Sequence, residues 1–495
     1  MLSLKNKPEN LSLLNTTFVL FTLIFITIIR IYSIYVTPIE LSVDEAQYWH
    51  WSKNLDFGYF TKPPLIAWVI AISTNIFGNE EWAVRLSAPI IHFITSIILW
   101  MCGQIAFGSK IGKAAALIWI FTPAASLGSF VISTDTPLLL FWSLSLFFLF
   151  TLIKYNSFNS ALFAGVSLGL AFLSKYAALY FLVLVFLWWL LYDRGKIISL
   201  KNIIIMYIST VTVSSLNLYW NYHNDFATIG HTISNADLSE IVFNYSNVIA
   251  FLSSQLLVFG PIMFLIYLFI IFDSFFRGEK VSLLGLISLP ILLLITIQSF
   301  LKIANPNWAV TAYIGATLLI STYIASKRHS LLKILFKLGL IINFGVSLFI
   351  LKITLTGSFY PIDLKSNPLR KNLGFEILAN QVNQTFDKYD FSTIVFEKRG
   401  DITRFHYYLN RFDNKFENKI FLMTNNITPG NFYEANYKFN VNNFNKDSRV
   451  LIVSNNLNFD EKYDNLIEKK LIKKISTNTT KNKKRTYYLI EGKIK

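Results

Sequence analysis

Residues 41–68 read LSVDEAQYWHWSKNLDFGYFTKPPLIAW and follow the first apolar run of the chain. They set two adjacent carboxylates, Asp44 and Glu45, ahead of Lys62-Pro63-Pro64. Ionisable groups held beside a bilayer are costly to keep there, which makes them functional candidates. A carboxylate can take a proton from a hydroxyl. A lysine or arginine grips a phosphate through charge-assisted hydrogen bonds. Together these groups suit the handling of a phosphate at the membrane face. Lys62-Pro63-Pro64 alone is a weak sign, because proline is welcome at a helix start; its spacing from the acid pair strengthens it. The plainer reading of Asp44 and Glu45 is an interfacial helix, with Tyr48, Trp49 and Trp51 forming an aromatic belt and the acids facing water.

The elements that must position these groups are apolar. Of 495 residues, 53% are hydrophobic, the mean hydropathy is +0.46 and only 15% are charged, against roughly 25% in soluble domains. Apolar runs of ~20 residues recur through the first 355 positions, the length that crosses a bilayer. They predict a polytopic α-helical membrane protein with about eleven spans, near 12–36, 82–107, 111–130, 134–154, 158–174, 176–192, 199–219, 247–272, 281–301, 307–325 and 332–355. The run 64–78 is short and interrupted, and reads as an interfacial helix on the outer face.

Charge orients the spans. Alternate loops carry Lys5, Lys7, Lys110, Lys113, Lys154, Arg194, Lys196, Lys201, Arg277, Lys280, Lys327, Arg328, Lys333 and Lys337, with Glu9, Asp193, Asp273 and Glu279 as their acids. The other loops collect Glu40, Asp44, Glu45, Asp56, Glu80, Glu81, Asp135, Asp225, Asp237 and Glu240. The positive-inside rule then gives a cytoplasmic N-terminus and an outer C-terminus. The first apolar run follows Lys5 and Lys7 without a convincing cleavage site and reads as an uncleaved span. The net charge of +16 comes from basic loops and the tail, with no nucleic-acid motif. Cys102 is the single cysteine, so no intramolecular disulfide can form.

From about Gly357 the composition changes. Residues 357–495 hold 24 Lys and Arg against 15 Asp and Glu, and apolar runs shrink to strand length. STIVF (392–396), NKIFLM (418–423), SRVLIVS (448–454) and RTYYLI (485–490) predict strands, and GFEILANQVNQTF (374–386) a helix. The expected organisation is a membrane domain, 1–356, with a catalytic outer loop, 38–81, and a small soluble α/β domain, 357–495, on the outer side. Nothing in the tail resembles a catalytic motif.

With that orientation the outer side gathers Asp44, Glu45, Lys53, Lys62, Arg85, Asp135, Lys175, His223, Asp225, His231 and Lys302. Basic residues there run against the positive-inside rule, and such local conflicts tend to be functional. The reading is an anion site at the outer interface. Asp135, in SFVISTDTPLLLFW, also suits a plain helix start. Arg85 and Lys175 also suit snorkelling anchors. Asn307, in PNWAV, and Tyr59 join the substrate-binding candidates. His223, Asp225 and His231 have mixed ligand chemistry, but their spacing matches no standard zinc motif. No metal or other cofactor is expected with support.

The order DEAQYWHWSKNLDFGYFTKPPLIAW, EWAVRLSAP, TPAASLGSFVISTDTPLL, GLAFLSKYAALYFL, WNYHNDFATIGHTISNA, QLLVFGPI and NPNWAVTAYIG resembles glycosyltransferase family 39. This family has the GT-C membrane fold and includes protein O-mannosyltransferases and the aminoarabinose transferases that modify lipid A. The resemblance covers roughly 10–355 and is nearer the bacterial branch. It implies a polyprenyl-phosphate sugar donor, a lipid, glycan or protein acceptor, and an active site at the outer face. By motif it makes Asp44 the leading catalytic acid with Glu45 as neighbour, sets Lys62 at the donor phosphate, and puts Arg85 and Asp135 at further motif positions. His231 and Lys302 follow more loosely. One departure is Thr61, where many lipid A-type members have Glu before the KPP.

Two other classes compete. A lipid-linked oligosaccharide polymerase or ligase would carry its chemistry on a large late outer loop, whereas here the first loop carries it. A transporter or flippase would place charges near the bilayer middle, whereas here they cluster at one face.

Overall fold

The computed structural model describes residues 15–235, 243–277, 282–325, 330–360, 367–457, 466–480 and 483–495. Of the charges used above for orientation, Lys5, Lys7, Glu9, Asp237, Glu240, Glu279, Lys280, Lys327 and Arg328 lie outside the described residues. In chain order the helices are α1 (Thr16–Val36), α2 (Val43–Lys53), α3 (Leu65–Phe77), α4 (Glu81–Arg85), α5 (Ser87–Phe107), α6 (Ser109–Phe121), α7 (Pro123–Gly128) and α8 (Asp135–Tyr155). There follow α9 (Phe158–Ser174), α10 (Ala178–Trp188), α11 (Leu200–His223), α12 (Ala227–Asn235), α13 (Tyr245–Val258), α14 (Pro261–Phe276), α15 (Leu283–Leu286), α16 (Leu289–Leu301), α17 (Ala312–Ala325) and α18 (Ser330–Thr356). The last part holds α19 (Phe375–Tyr389), α20 (Arg399–Asn410) and α21 (Phe432–Asn436), with strands β1 (Thr393–Phe396), β2 (Ile420–Leu422), β3 (Arg449–Ser454), β4 (Leu466–Thr480) and β5 (Lys483–Ile494).

Two compact units result. The first is Met1–Ile34, Lys62–Ile66 and Arg85–Lys352; the second is Tyr35–Thr61, Ala67–Val84 and Ile353–Lys495.

The expected count of about eleven spans is corrected. Among the described residues six helices are long and apolar enough to cross a membrane, or seven if α13 and α14 form one broken span. The reason is that apolar composition does not register helix breaks. The expected span 111–130 divides at Thr122, which turns extended before Pro123 and leaves α6 with 13 residues. At 1.5 Å per residue that is about 20 Å, short of a ~30 Å hydrocarbon core. The helices Phe158–Ser174, Ala178–Asp193 and Ala312–Ala325 are too short in the same way. Between α13 and α14 the chain bends by 110°. Gly260 sits there at φ +98, and a Cβ on it would meet Asn343 Oδ1 at 1.9 Å. Glycine alone fits that corner.

In the first unit a buried arginine ties the helices. Arg30 on α1 is 5% exposed. It donates to Ile120 O at 2.7 Å, Ser126 Oγ at 2.9 Å, and Ser129 and Ser347 Oγ at 3.2 Å each. Such a group must be satisfied where water is absent. Gly103 and Gly112 let α5 and α6 approach until an added Cβ would meet backbone at 2.5 Å, the small-residue packing of membrane helices.

The second unit holds a five-stranded sheet of order β2-β1-β3-β5-β4. β1 runs parallel to β2 and β3, while β5 is antiparallel to β3 and β4. Val395, Val450, Ile452, Leu466 and Ile490 build its core, as alternating buried side chains of paired strands should. The four strands and the helix expected in the tail are present, at Thr393–Phe396, Ile420–Leu422, Arg449–Ser454, Lys483–Ile494 and Phe375–Tyr389. β4, α20 and α21 are additional. Residues of the first loop belong to this unit. Glu40 accepts from the backbone N–H groups of Phe375 and Glu376 at 2.7 and 3.1 Å. A carboxylate at a helix N-terminus satisfies orphan donors and opposes the dipole. Trp49 of α2 meets Tyr407 of α20 edge-on, with ring centroids 4.8 Å apart.

Candidate functional site

In the second unit α2 positions the acid pair. Its N-terminus is fixed by a capping box: Ser42 Oγ accepts from Glu45 N at 3.3 Å, and Glu45 Oε2 accepts from Ser42 N at 2.9 Å. Glu45 is fully buried, and its Oε2 closes the capping box that starts the helix. Asp44, one residue earlier, points outward with its side chain 65% exposed. Its Oδ1 accepts from Arg399 Nη2 at 3.0 Å. Arg399, at the start of α20, also donates from Nε and Nη2 to Gln47 Oε1 at 3.1 and 2.8 Å. Gln47 Nε2 reaches Thr61 Oγ1 at 3.5 Å.

Tyr59 lies under this loop. Its hydroxyl faces the carbonyls of Trp51 and Asn54 at 3.0 and 3.1 Å and accepts from Asp56 N at 3.2 Å. Its ring stacks on Trp51 at 4.6 Å. Burial raises the phenol above its ordinary range.

In the first unit three candidates meet. Asp135 opens α8 with its side chain 12% exposed. Its Oδ1 accepts from Lys175 Nζ at 2.7 Å and its Oδ2 from Asn307 Nδ2 at 2.5 Å. Lys175 caps α9 in an extended conformation, which ends the helix and releases the side chain. Asn307 follows Pro306 in a tight turn. One carboxylate thus holds an ammonium and an amide, with both of its oxygens engaged.

The remaining candidates of that unit are carried by other segments. Arg85 is fully buried, with its guanidinium 4.7 Å from the centre of the Phe130 ring. Lys62 is half-buried and followed by buried Pro63 and Pro64. His231 is half-buried on α12. Lys302, exposed at the end of α16, donates to Ser234 O of α12 at 3.2 Å. Among the described residues no three His, Cys, Asp or Glu side chains gather to hold a metal ion.

Sequence reasoning missed Arg399 and Gln47. Arg399 sits in EKRGD, where charge and glycine read as solvated loop. It missed a buried aromatic cluster in the same unit as well. His50 and His406 stack at 3.9 Å. His50 Nδ1 meets Tyr433 Oη at 3.1 Å and its Nε2 meets Tyr437 Oη at 2.7 Å. Both nitrogens of His406 are buried without a partner among the described residues. Burial lowers His406 to about 3. Burial, with the neighbouring His406 adding to it, sends His50 well below its usual value.

The sequence and fold can be compared with known proteins. Residues 61–220 match the family described as dolichyl-phosphate-mannose-protein mannosyltransferase. A lipid A galacturonosyltransferase, RgtD, from Rhizobium johnstonii is 37% identical over 284 residues, 57% of this chain. The match takes in 60% of that relative's own length. An undecaprenyl phosphate-alpha-4-amino-4-deoxy-L-arabinose arabinosyl transferase from Proteus mirabilis is 27% identical over 126 residues, 25% of this chain and 22% of the relative. The crystal structure of ArnT from Cupriavidus metallidurans bound to undecaprenyl phosphate aligns with a TM-score of 0.65 at 14% identity, over 96% of this chain and 98% of that one. Its apo state aligns with a TM-score of 0.64. The chain is therefore a multi-pass membrane protein with the GT-C fold, similar in parts of its sequence to aminoarabinose, lipid A and mannosyl transferases.

Proposed function

We propose that the chain is a membrane glycosyltransferase that moves a sugar from a polyprenyl-phosphate donor to a lipid, glycan or protein acceptor. The observation that carries this is the 37% identity to a lipid A galacturonosyltransferase. The full-length fold match to a protein solved with undecaprenyl phosphate agrees with it. In this reading the acceptor oxygen attacks the anomeric carbon as the bond to the phosphate oxygen breaks, and direct displacement inverts the configuration. A hydroxyl acceptor passes its proton to the exposed oxygen of Asp44. A phosphate acceptor has no such proton to lose, and Asp44 then orients neighbouring groups.

The departing lipid phosphate carries the charge that develops, and Lys62 meets it. Asp135 holds Lys175 and Asn307 in place, which makes it a positioning carboxylate. With α13 and α14 taken as one broken span, seven crossings agree with a cytoplasmic N-terminus and a periplasmic C-terminal part, the orientation the basic loops favour.

The test is transfer by the purified full chain in lipid nanodiscs. It would be supplied with synthetic undecaprenyl-phosphate galacturonic acid or aminoarabinose and with lipid A. Protein-dependent release of undecaprenyl phosphate, matched by sugar on the acceptor, is the expected result. Protein that binds undecaprenyl phosphate yet transfers neither sugar would overturn the reading.

A further inference from the structure

Asp44 is exposed, and an exposed carboxylate on a helix surface samples several rotamers unless something holds it. Here something does. The guanidinium fork of Arg399 directs two N–H groups, Nε and Nη2, at one acceptor, Gln47 Oε1. The second Nη2 proton is left for Asp44 Oδ1 at 3.0 Å. Gln47 is 1% exposed and Thr61 6% exposed, so the amide that fixes the arginine is itself fixed. The order of support runs from buried neutral groups, through a planar cation, to a carboxylate that keeps its second oxygen outward. Among the described residues Arg399 alone bonds the Asp44 side chain. A surface ion pair present only for stability contributes little and needs no such clamp.

We infer that Arg399 is a positioning residue: through Gln47 and Thr61 it fixes the orientation of the Asp44 carboxylate for the transfer step. The inference rests on the reading that Asp44 takes part in that step. Arginine is required because its planar fork serves two acceptors at once. A lysine can reach Asp44 but presents a point charge, with no edge to lock against Gln47. The arrangement also gives the C-terminal part of the chain a share in the chemistry, since Arg399 begins a helix of that part while Asp44 and Gln47 belong to the first loop.

The experiment compares full-length wild type with Arg399→Ala, Arg399→Lys, Gln47→Ala, Asp44→Asn and the double variant Asp44→Asn/Arg399→Ala in nanodiscs. Readouts are kcat, KM for the polyprenyl-phosphate sugar, and affinity for undecaprenyl phosphate. Arg399→Ala should lower kcat roughly ten- to a hundredfold, the cost of a reacting group held slightly out of place. Donor KM and undecaprenyl phosphate affinity should stay within about twofold of wild type, because only transition-state contacts are lost. Arg399→Lys should recover part of kcat and Gln47→Ala should lose part of it. In the Asp44→Asn background, Arg399→Ala should cost nothing further, since residues acting as one unit are non-additive.

An unchanged kcat in Arg399→Ala, with Asp44→Asn inactive, overturns this inference and leaves the transferase reading standing. Equal activity of Asp44→Asn and wild type removes the premise instead. A further loss in the double variant, with a lowered melting temperature, would make Arg399 structural and also overturn the inference. Should Arg399→Ala fail to fold, Arg399→Lys and Gln47→Ala carry the same comparison.

Discussion

Two carboxylates of this chain each meet a cation, and they differ in what surrounds them. Asp135 in the first unit is mostly buried, with one oxygen on Lys175 and the other on Asn307. Asp44 in the second unit is 65% exposed, with one oxygen on Arg399 and the other open to solvent. Burial makes a pair expensive to break, because the abandoned charge cannot return to water. Exposure makes a pair cheap to break and leaves the carboxylate able to meet a reactant. The first arrangement suits holding, and the second suits acting.

Breaking the Asp135 pair tests this contrast most strongly. Asp135→Ala strands Lys175 and should cost on the order of 3 kcal/mol of stability, read by thermal or denaturant unfolding in nanodiscs. A cost near zero would mean that water reaches the pair and that the contrast is wrong. Next in size is Lys62→Ala. Losing one charge-assisted contact to a phosphate costs about 1.5–3 kcal/mol, or roughly ten- to more than a hundredfold in affinity. Binding of undecaprenyl phosphate should weaken by that factor, and Lys62→Arg should keep part of it.

The stacked histidines give a third expectation, in pH. His50 and His406 stay neutral in the fold, His406 down to about pH 3. In an unfolded chain the same side chains take up protons below about pH 6.5. The unfolded state then binds more protons, so stability should fall as pH drops from about 6.5 toward 3. The slope is up to about 1.4 kcal/mol per pH unit for each ring. His406→Phe should flatten the melting temperature against pH relative to wild type, and parallel curves would contradict this. The smallest effect belongs to the exposed pair. Arg399→Ala should cost about 1–2 kcal/mol of unfolding stability, chiefly because the buried Gln47 amide oxygen loses its donors, still below Asp135→Ala.

These regions were not equally legible in the sequence. Asp44, Glu45, Lys62, Asp135 and Lys175 stood out because charge beside apolar runs is unusual. What spacing could not convey was the use each carboxylate has: adjacent Asp44 and Glu45 look alike, yet one closes a capping box and the other faces solvent. Arg399 was invisible because its partners lie more than 350 residues away. The strand β4, LIEKKLIKKISTNTT, was missed because its lysines masked the alternation that marks a strand, though edge strands use lysine to discourage pairing. The span count failed at Thr122-Pro123 and Gly260-Pro261, where apolar composition continues through a break in the helix. Arg30 was passed over because its satisfaction depends on serines of distant helices.

The most direct test of the account is sugar transfer by Asp44→Asn. The variant keeps the size of the side chain and the acceptor for Arg399, but not the charge or the basic oxygen. The purified variant should insert, melt within a few degrees of wild type and bind undecaprenyl phosphate, while its transfer rate falls roughly 10²- to 10⁴-fold. Transfer at close to the wild-type rate by a folded Asp44→Asn protein would contradict the central claim.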